Sequence, residues 1–133
     1  MLYIDSNIFV YAHIDAGELG ERARKKLRDA RDGPGVCTSA LTLDEVMWSV
    51  QKTKGRTRKD VEEVARKFLR LDRLKILPVE QRDLSNVVEH YKNGLDPRDA
   101  IHVAVALRHN CEAILSSDPD IAKAKGIAHH AFP

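Results

Sequence analysis

The chain has 133 residues, of which 43% are hydrophobic and 32% charged, and its formal net charge is +2. This length fits one domain over residues 1–133, and no apolar stretch approaches the roughly 20 residues that a membrane-spanning helix needs. The N-terminus lacks the features of a signal peptide, so we predict a cytoplasmic protein. Cys37 and Cys111 form no Cys-x-x-Cys unit, which argues against a zinc ribbon or a disulfide framework.

Short apolar segments alternate along the chain with longer segments of helical pattern. Apolar periodicity, capping residues and Gly or Pro stops set their predicted bounds. In chain order these are strand Met1–Ile4, helices Ile8–Ala12 and Glu18–Arg31, strand Val36–Thr38, a helix capped by Ser39 or Thr42 and running to about Gln51, helix Lys59–Leu71, strand Lys75–Leu77, helices Glu80–Lys92 and Arg98–Arg108, strand Ala113–Leu115, short helix Asp118–Lys125 and strand Ile127–His129.

This alternation predicts a parallel sheet that is covered by helices on both faces. The crossovers of such a sheet are right-handed, and its ligands bind outside the carboxyl ends of the strands. The helix Arg98–Arg108 has apolar residues all around its axis, so we expect it to be deeply buried.

Four acidic residues follow these elements at positions that converge on one sheet edge. Asp5 and Asp118 lie just past predicted strands, Asp99 lies at a helix N-terminus, and Glu45 lies about one turn into the helix after the second strand. A buried carboxylate is expensive unless it is paired or binds a metal. The pattern therefore predicts that Asp5, Glu45, Asp99 and Asp118 form a divalent cation site.

Oxygen-only ligands favour hard cations, so we expect Mg²⁺ or Mn²⁺ at this site. Two such ions about 3.5–4 Å apart stabilise the attacking and leaving oxygens of a phosphoryl displacement. The predicted reaction is metal-assisted hydrolysis of a phosphodiester, with water as the nucleophile and the four carboxylates as the catalytic and metal-binding residues.

Several neighbouring residues have two interpretations. Asn7 and Ser116 either orient the carboxylates and bound water or cap helices, and Asp120 is either a spare ligand or a helix N-terminal charge. Asp96 is expected to be a turn or cap residue, and Asp44 should point away from Glu45 to the surface. His102 is expected to be a buried, hydrogen-bonded histidine.

A basic segment lies between two predicted helices. It carries five basic residues and no acidic one: Lys52, Lys54, Arg56, Arg58 and Lys59. The segment is either a solvated loop or a surface that contacts RNA phosphates beside the acidic site.

Four motifs in this order resemble those of PIN-domain proteins. They are Leu2–Ala12 around Asp5, Thr38–Val46 around Glu45, Asp99–Leu107, and Ile114–Asp120 around Asp118. The resemblance implies a three-layer α/β/α sandwich with a five-stranded parallel sheet, and a Mg²⁺- or Mn²⁺-dependent ribonuclease with these four carboxylates as ligands. Small prokaryotic PIN proteins of this length resemble VapC-type toxins, which implies an RNA substrate, a cognate antitoxin and a homodimer.

Alternative functions remain open from the sequence. The chain is either a toxin or a housekeeping RNA-processing nuclease, because no antitoxin gene is visible in it. It could also be a catalytically idle PIN-like module that binds RNA or protein, or a metal-dependent phosphatase of small substrates.

Overall fold

Five strands form one all-parallel sheet in the computed structural model, which describes residues 1–133. The strands are β1 Leu2–Ile4, β2 Val36–Ser39, β3 Leu74–Leu77, β4 Ala113–Ser116 and β5 Ala128–Ala131. The helices are α1 Ser6–Ile14, α2 Glu18–Asp32, α3 Ala40–Lys52, α4 Arg58–Leu69, α5 Gln81–Lys92 and α6 Pro97–Arg108, with a 3₁₀ turn at Pro119–Lys123.

The sheet order is β3-β2-β1-β4-β5, which places the first strand in the middle. Tyr3 of β1 pairs with Cys37 of β2 on one side and with Ile114 of β4 on the other. Successive side chains of a strand point to opposite faces. Tyr3 accordingly packs in one apolar core and Ile4 in the other.

The two cores define the two helix layers. The core that contains Ile4 includes buried residues of α1, α2, α3 and α4, whereas the core that contains Tyr3 includes four buried residues of α6. The α6 helix is buried along most of its length, as its apolar sequence predicts. The predicted three-layer α/β/α sandwich with a five-stranded parallel sheet is confirmed.

The elements differ from the sequence predictions mainly at their ends. The helix predicted over Lys59–Leu71 runs over Arg58–Leu69 instead. It begins one residue earlier because Thr57 and Asp60 form a capping box at its start. The helix predicted at Asp118–Lys125 is a 3₁₀ turn. Cys37 and Cys111 are buried free thiols, and no helix is long and apolar enough to cross a membrane.

Candidate metal and catalytic site

Asp5 sits where β1 ends and α1 begins, and the fold holds its carboxylate tightly. The side chain caps α1 by accepting a 2.7 Å hydrogen bond from the Ser6 backbone N–H. The other oxygen accepts hydrogen bonds from the Asn7 amide at 2.8 Å and the Ser116 hydroxyl at 2.5 Å. Asp5 is only 3% exposed, so these donors replace the water that a buried carboxylate loses.

Ser116 links the ends of the two neighbouring strands β1 and β4. Besides donating to Asp5, its fully buried hydroxyl accepts 3.0 Å hydrogen bonds from the Asn7 amide and from the Asp118 backbone N–H. The Asn7 side-chain oxygen accepts a hydrogen bond from the Ser117 backbone N–H at 3.1 Å. The two residues predicted to be supporting, Asn7 and Ser116, therefore fix Asp5 relative to the loop that carries Asp118.

An open cleft of about 550 Å³ lies beside this network. Its lining contains no hydrophobic side chain and consists of Glu45, Asp96, Pro97, Arg98, Asp99 and Asp118. Three of the four predicted carboxylates thus share one cleft, contributed by α3, α6 and the segment after β4. Asp5 is buried and is not part of the lining.

Asp99 is a partly buried carboxylate whose ionisation is affected by the other three. Burial, followed by the negative charges of Asp5 and Asp118, raises the pKa of Asp99 from 3.8 to about 7, and Glu45 acts in the same direction. The imidazole of His102 partly opposes this rise. Three of the carboxylates line the cleft and the charge of the buried Asp5 acts on Asp99, so negative charge is concentrated at this edge of the sheet.

His102 connects Glu45 to the centre of the sheet. Its Nε2 donates to Oε1 of Glu45, and its Nδ1 lies 2.7 Å from the Tyr3 hydroxyl. Burial alone would lower the pKa of His102, but the hydrogen bond and charge of Glu45 outweigh it, so this pKa is raised. His102 is a buried, hydrogen-bonded histidine, as predicted, although the sequence did not indicate Glu45 as its partner.

The basic segment does not line the acidic cleft. Its five basic residues are exposed, and Lys52 stacks over Trp48 with its Nζ 5.6 Å from the ring centroid. Lys52 is seven residues beyond Glu45 on α3, which separates the two by about 10 Å along the helix axis. The predicted role of this segment in RNA binding stays a prediction.

Two other acidic residues also lie outside the cleft. Asp120 forms a 2.7 Å ion pair with Lys123, and its backbone N–H donates to Asp118. Asp120 is therefore a neighbour of Asp118 that is not part of the cleft lining, and its supporting role stays a prediction. Asp44 is exposed, as predicted.

Two charged residues that line the cleft, Asp96 and Arg98, were not predicted as site residues from the sequence. Asp96 precedes α6 at its N-cap position, as expected, but it also faces the cleft together with exposed Arg98. The only available signal was adjacency to Asp99 in the segment Asp96-Pro97-Arg98-Asp99. Arg98 places one cation at the mouth of an otherwise acidic cleft.

The side chains as they stand are not arranged around a common ion. No group of three or more His, Cys, Asp or Glu residues is positioned to hold a metal. Asp5 and Glu45 instead direct oxygens to donors of the protein. The donor chemistry nevertheless suits a hard cation, because the cleft gathers carboxylates with uncompensated charge.

The chain is a parallel α/β sandwich with carboxylates at the carboxyl edge of its central strands, the class of fold in which ligands bind at a strand-order switch point. The PIN domain family model matches residues 2–127, and the chain belongs to the PIN domain family. No curated protein sequence matches the chain.

Three solved structures illustrate the likeness in fold. VapBC2 from Rickettsia felis, bound to a promoter DNA fragment, has a TM-score of 0.76 at 18% identity, with 100% of each chain covered. VapC20 of Mycobacterium tuberculosis, a Sarcin-Ricin loop cleaving toxin, has a TM-score of 0.75 at 16% identity, covering 94% of this chain and 95% of that one. A toxin–antitoxin complex from Klebsiella pneumoniae has a TM-score of 0.69 at 22% identity, with 96% of each chain covered.

Proposed function

We propose that residues 1–133 form one metal-dependent endoribonuclease domain that acts as the toxin of a toxin–antitoxin pair. The observation that carries the proposal is the cleft lined by Glu45, Asp99 and Asp118 beside the buried Asp5, which gathers carboxylates at the carboxyl edge of the sheet. Burial and the neighbouring negative charges raise the pKa of Asp99, in agreement with this arrangement. A divalent cation is the simplest partner for such a cluster.

The four carboxylates would bind the metal, and two neighbouring residues would hold one of them in place. Asp5, Asp99 and Asp118 would hold Mg²⁺ or Mn²⁺, and Glu45 would complete the set through Oε2, because its hydrogen bond to His102 engages only Oε1. The bound ion would supply Lewis-acid activation of the phosphate and of a water molecule. Ser116 and Asn7 would keep Asp5 in one orientation, as hydrogen-bonding groups around metal ligands do.

The cleft would bind a polyanionic substrate only when a cation is also bound. Three carboxylates and Asp96 line it, so a bare phosphate would be repelled. Arg98 at the cleft and the exposed basic segment offer phosphate contacts on the protein side. This combination favours an RNA backbone over a small phosphomonoester, which could not reach both.

The proposed toxin role and partners are supported by the similarity in fold to solved structures. Two of them are described as a toxin and as a toxin–antitoxin complex. We accordingly propose a cognate antitoxin, a homodimer and a cytoplasmic location.

Co-expression with the neighbouring gene should abolish growth inhibition by this chain, and light scattering should give twice the chain mass. A chain that inhibits growth equally with its neighbour would contradict the toxin assignment.

The nuclease activity is tested with purified protein and a labelled single-stranded RNA of mixed sequence. We expect cleavage with Mn²⁺ or Mg²⁺, none with a chelator, and a loss of at least about 100-fold in Asp5→Asn, because removing an interaction of several kcal/mol in the transition state has this effect. Asp44→Asn is the matched control, since it removes an exposed carboxylate of α3 outside the cleft.

The outcomes separate this proposal from its rivals. Equal cleavage by Asp5→Asn would remove the acidic cluster from the mechanism. RNA binding without cleavage under any metal would indicate an idle binding module. Turnover of a generic phosphomonoester would favour a phosphatase.

A further inference from the structure

His102 occupies a position where the two helix layers meet. It belongs to α6, which packs in the core on the Tyr3 face of the sheet, whereas Glu45 belongs to α3 on the Ile4 face. The hydrogen bond from His102 to Glu45 therefore crosses the carboxyl edge of the sheet. His102 is fully buried, and its Nε2 also lies 3.9 Å from Oδ1 of Asp5.

The far side of the imidazole is fixed as well. Nδ1 lies 2.7 Å from the Tyr3 hydroxyl and 3.4 Å from the Ser39 hydroxyl. A carboxylate can only accept, so Nε2 carries the proton that bonds Glu45 whether the ring is neutral or charged. In the neutral ring, the network assigns a continuous chain in which Tyr3 donates to Nδ1 and Nε2 donates to Glu45.

This chain ties two carboxylates from different layers to one strand. Tyr3 lies in β1 only two residues before Asp5, and it is fully buried. The hydrogen bonds from Tyr3 to His102 and from His102 to Glu45 therefore fix the Glu45 carboxylate relative to the end of β1, which also positions Asp5. The hydrogen bond to His102 is the one side-chain hydrogen bond that Glu45 forms, so no other such bond fixes its carboxylate.

We infer that His102 is a positioning residue that holds the Glu45 carboxylate beside Asp5 and leaves its Oε2 free for a divalent cation. The inference rests on the proposed metal-dependent function. Groups that hydrogen-bond to a metal-ligating side chain contribute about 10–100-fold to metal affinity. His102 therefore acts through Glu45 and does not itself touch the substrate or the ion.

The same geometry is also compatible with a second role for His102, which predicts the opposite change in metal affinity when the residue is removed. A histidine that merely filled an acidic site, as an internal substitute for the cation, would compete with the metal. Its removal would then tighten metal binding instead of weakening it. The direction of the change in Mn²⁺ affinity distinguishes the two roles.

The test is calorimetric titration of Mn²⁺ into the full chain and its variants, without substrate. We expect His102→Leu to weaken Mn²⁺ binding about 10–100-fold. His102→Gln keeps an N–H donor near the position of Nε2, so it should recover most of the affinity. Tyr3→Phe removes only the hydroxyl behind the ring and should cause a smaller loss in the same direction. His109→Gln, a change of another histidine next to the end of α6, is the control and should bind as the wild type does.

The outcomes are distinct from those of the proposed function. A wild-type chain that neither binds Mn²⁺ nor cleaves RNA overturns both. A wild-type chain that binds Mn²⁺, together with a folded His102→Leu variant that binds it equally or more tightly, overturns the role of His102 alone. Should His102→Leu fail to fold, Tyr3→Phe decides the question, and unchanged affinity in that variant overturns the inference.

Discussion

At the scale of single residues, Asp99 is a carboxylate whose ionised form is destabilised in the folded protein. Its folded-state pKa of about 7 lies above its ordinary value of 3.8, because burial and the charges of Asp5 and Asp118 disfavour ionisation. The folded protein therefore binds a proton that the unfolded chain releases between these two pH values. Metal-free stability consequently falls as the pH rises from about 4 to about 7.

Neutralising Asp99 should remove this loss. In a chelator, we expect Asp99→Asn to be more stable than the wild type at pH 8 by about 1–2 kcal/mol, a value reduced from the full linkage because the side chain is partly exposed and screened by solvent. The difference should shrink at pH 5. Urea unfolding at both pH values measures it, with Asp44→Asn as the control. Equal stability of Asp99→Asn and the wild type at pH 8 would mean that the carboxylates do not repel one another.

At the scale of elements, a buried ion pair joins α5 to α6. Asp83 is 1% exposed, and it accepts hydrogen bonds from Arg108 at 2.6 and 3.0 Å and from the Glu80 backbone N–H at 2.7 Å. Burial alone would raise the pKa of Asp83, but the hydrogen bond and charge of Arg108 hold it below its usual range. The contact fixes α5 against the helix that carries Asp99 and His102.

Breaking this pair from the arginine side should be costly. Arg108→Ala leaves a buried, uncompensated carboxylate, which typically destabilises a protein by about 3–5 kcal/mol. Arg82→Ala is the control, because Arg82 forms an exposed pair with Glu80 and should change stability by no more than about 1 kcal/mol. Chemical denaturation of both variants checks the difference. A loss in Arg108→Ala no larger than in Arg82→Ala would show that Asp83 is compensated by other groups.

The same elements show how far the sequence could be interpreted alone. Strand ends and helix starts are local patterns, so the placement of Asp5, Asp99 and Asp118 at one sheet edge followed from apolar runs and capping residues. The contact between Glu45 and His102 could not, because it depends on how α3 and α6 are rotated on opposite faces of the sheet. The link from Asp5 to Ser116 likewise joins residues that are remote in sequence and adjacent only because β4 pairs with β1.

At the scale of the whole molecule, the candidate site belongs to no single layer. The central strands supply Asp5 and Asp118, one helix layer supplies Glu45, and the other supplies Asp99 and His102. A cation bound at this edge would bridge both helix layers and the sheet. Because unfolding separates these elements, the unfolded chain cannot present the same set of ligands.

Divalent metal should therefore stabilise the folded protein as a whole. Binding to the folded state alone adds about 2.7 kcal/mol at a free ion concentration 100 times the dissociation constant. For a chain of this size, we expect Mn²⁺ to raise the melting temperature by several degrees. A chelator should reverse the rise, Asp99→Asn should reduce it, and Asp44→Asn should keep it. An undiminished rise in Asp99→Asn would exclude Asp99 as a ligand.

The strand order also sets the time at which the proposed enzyme becomes active during its own synthesis. Asp5 is made long before β4, yet its backbone N–H bonds the Leu115 carbonyl, and Ser116 supplies its hydroxyl donor. β1 cannot complete its pairing until β4 has left the exit tunnel. The acidic cleft is therefore incomplete until Asp118 emerges, so the proposed nuclease is inert for as long as its growing chain lacks β4 and Asp118.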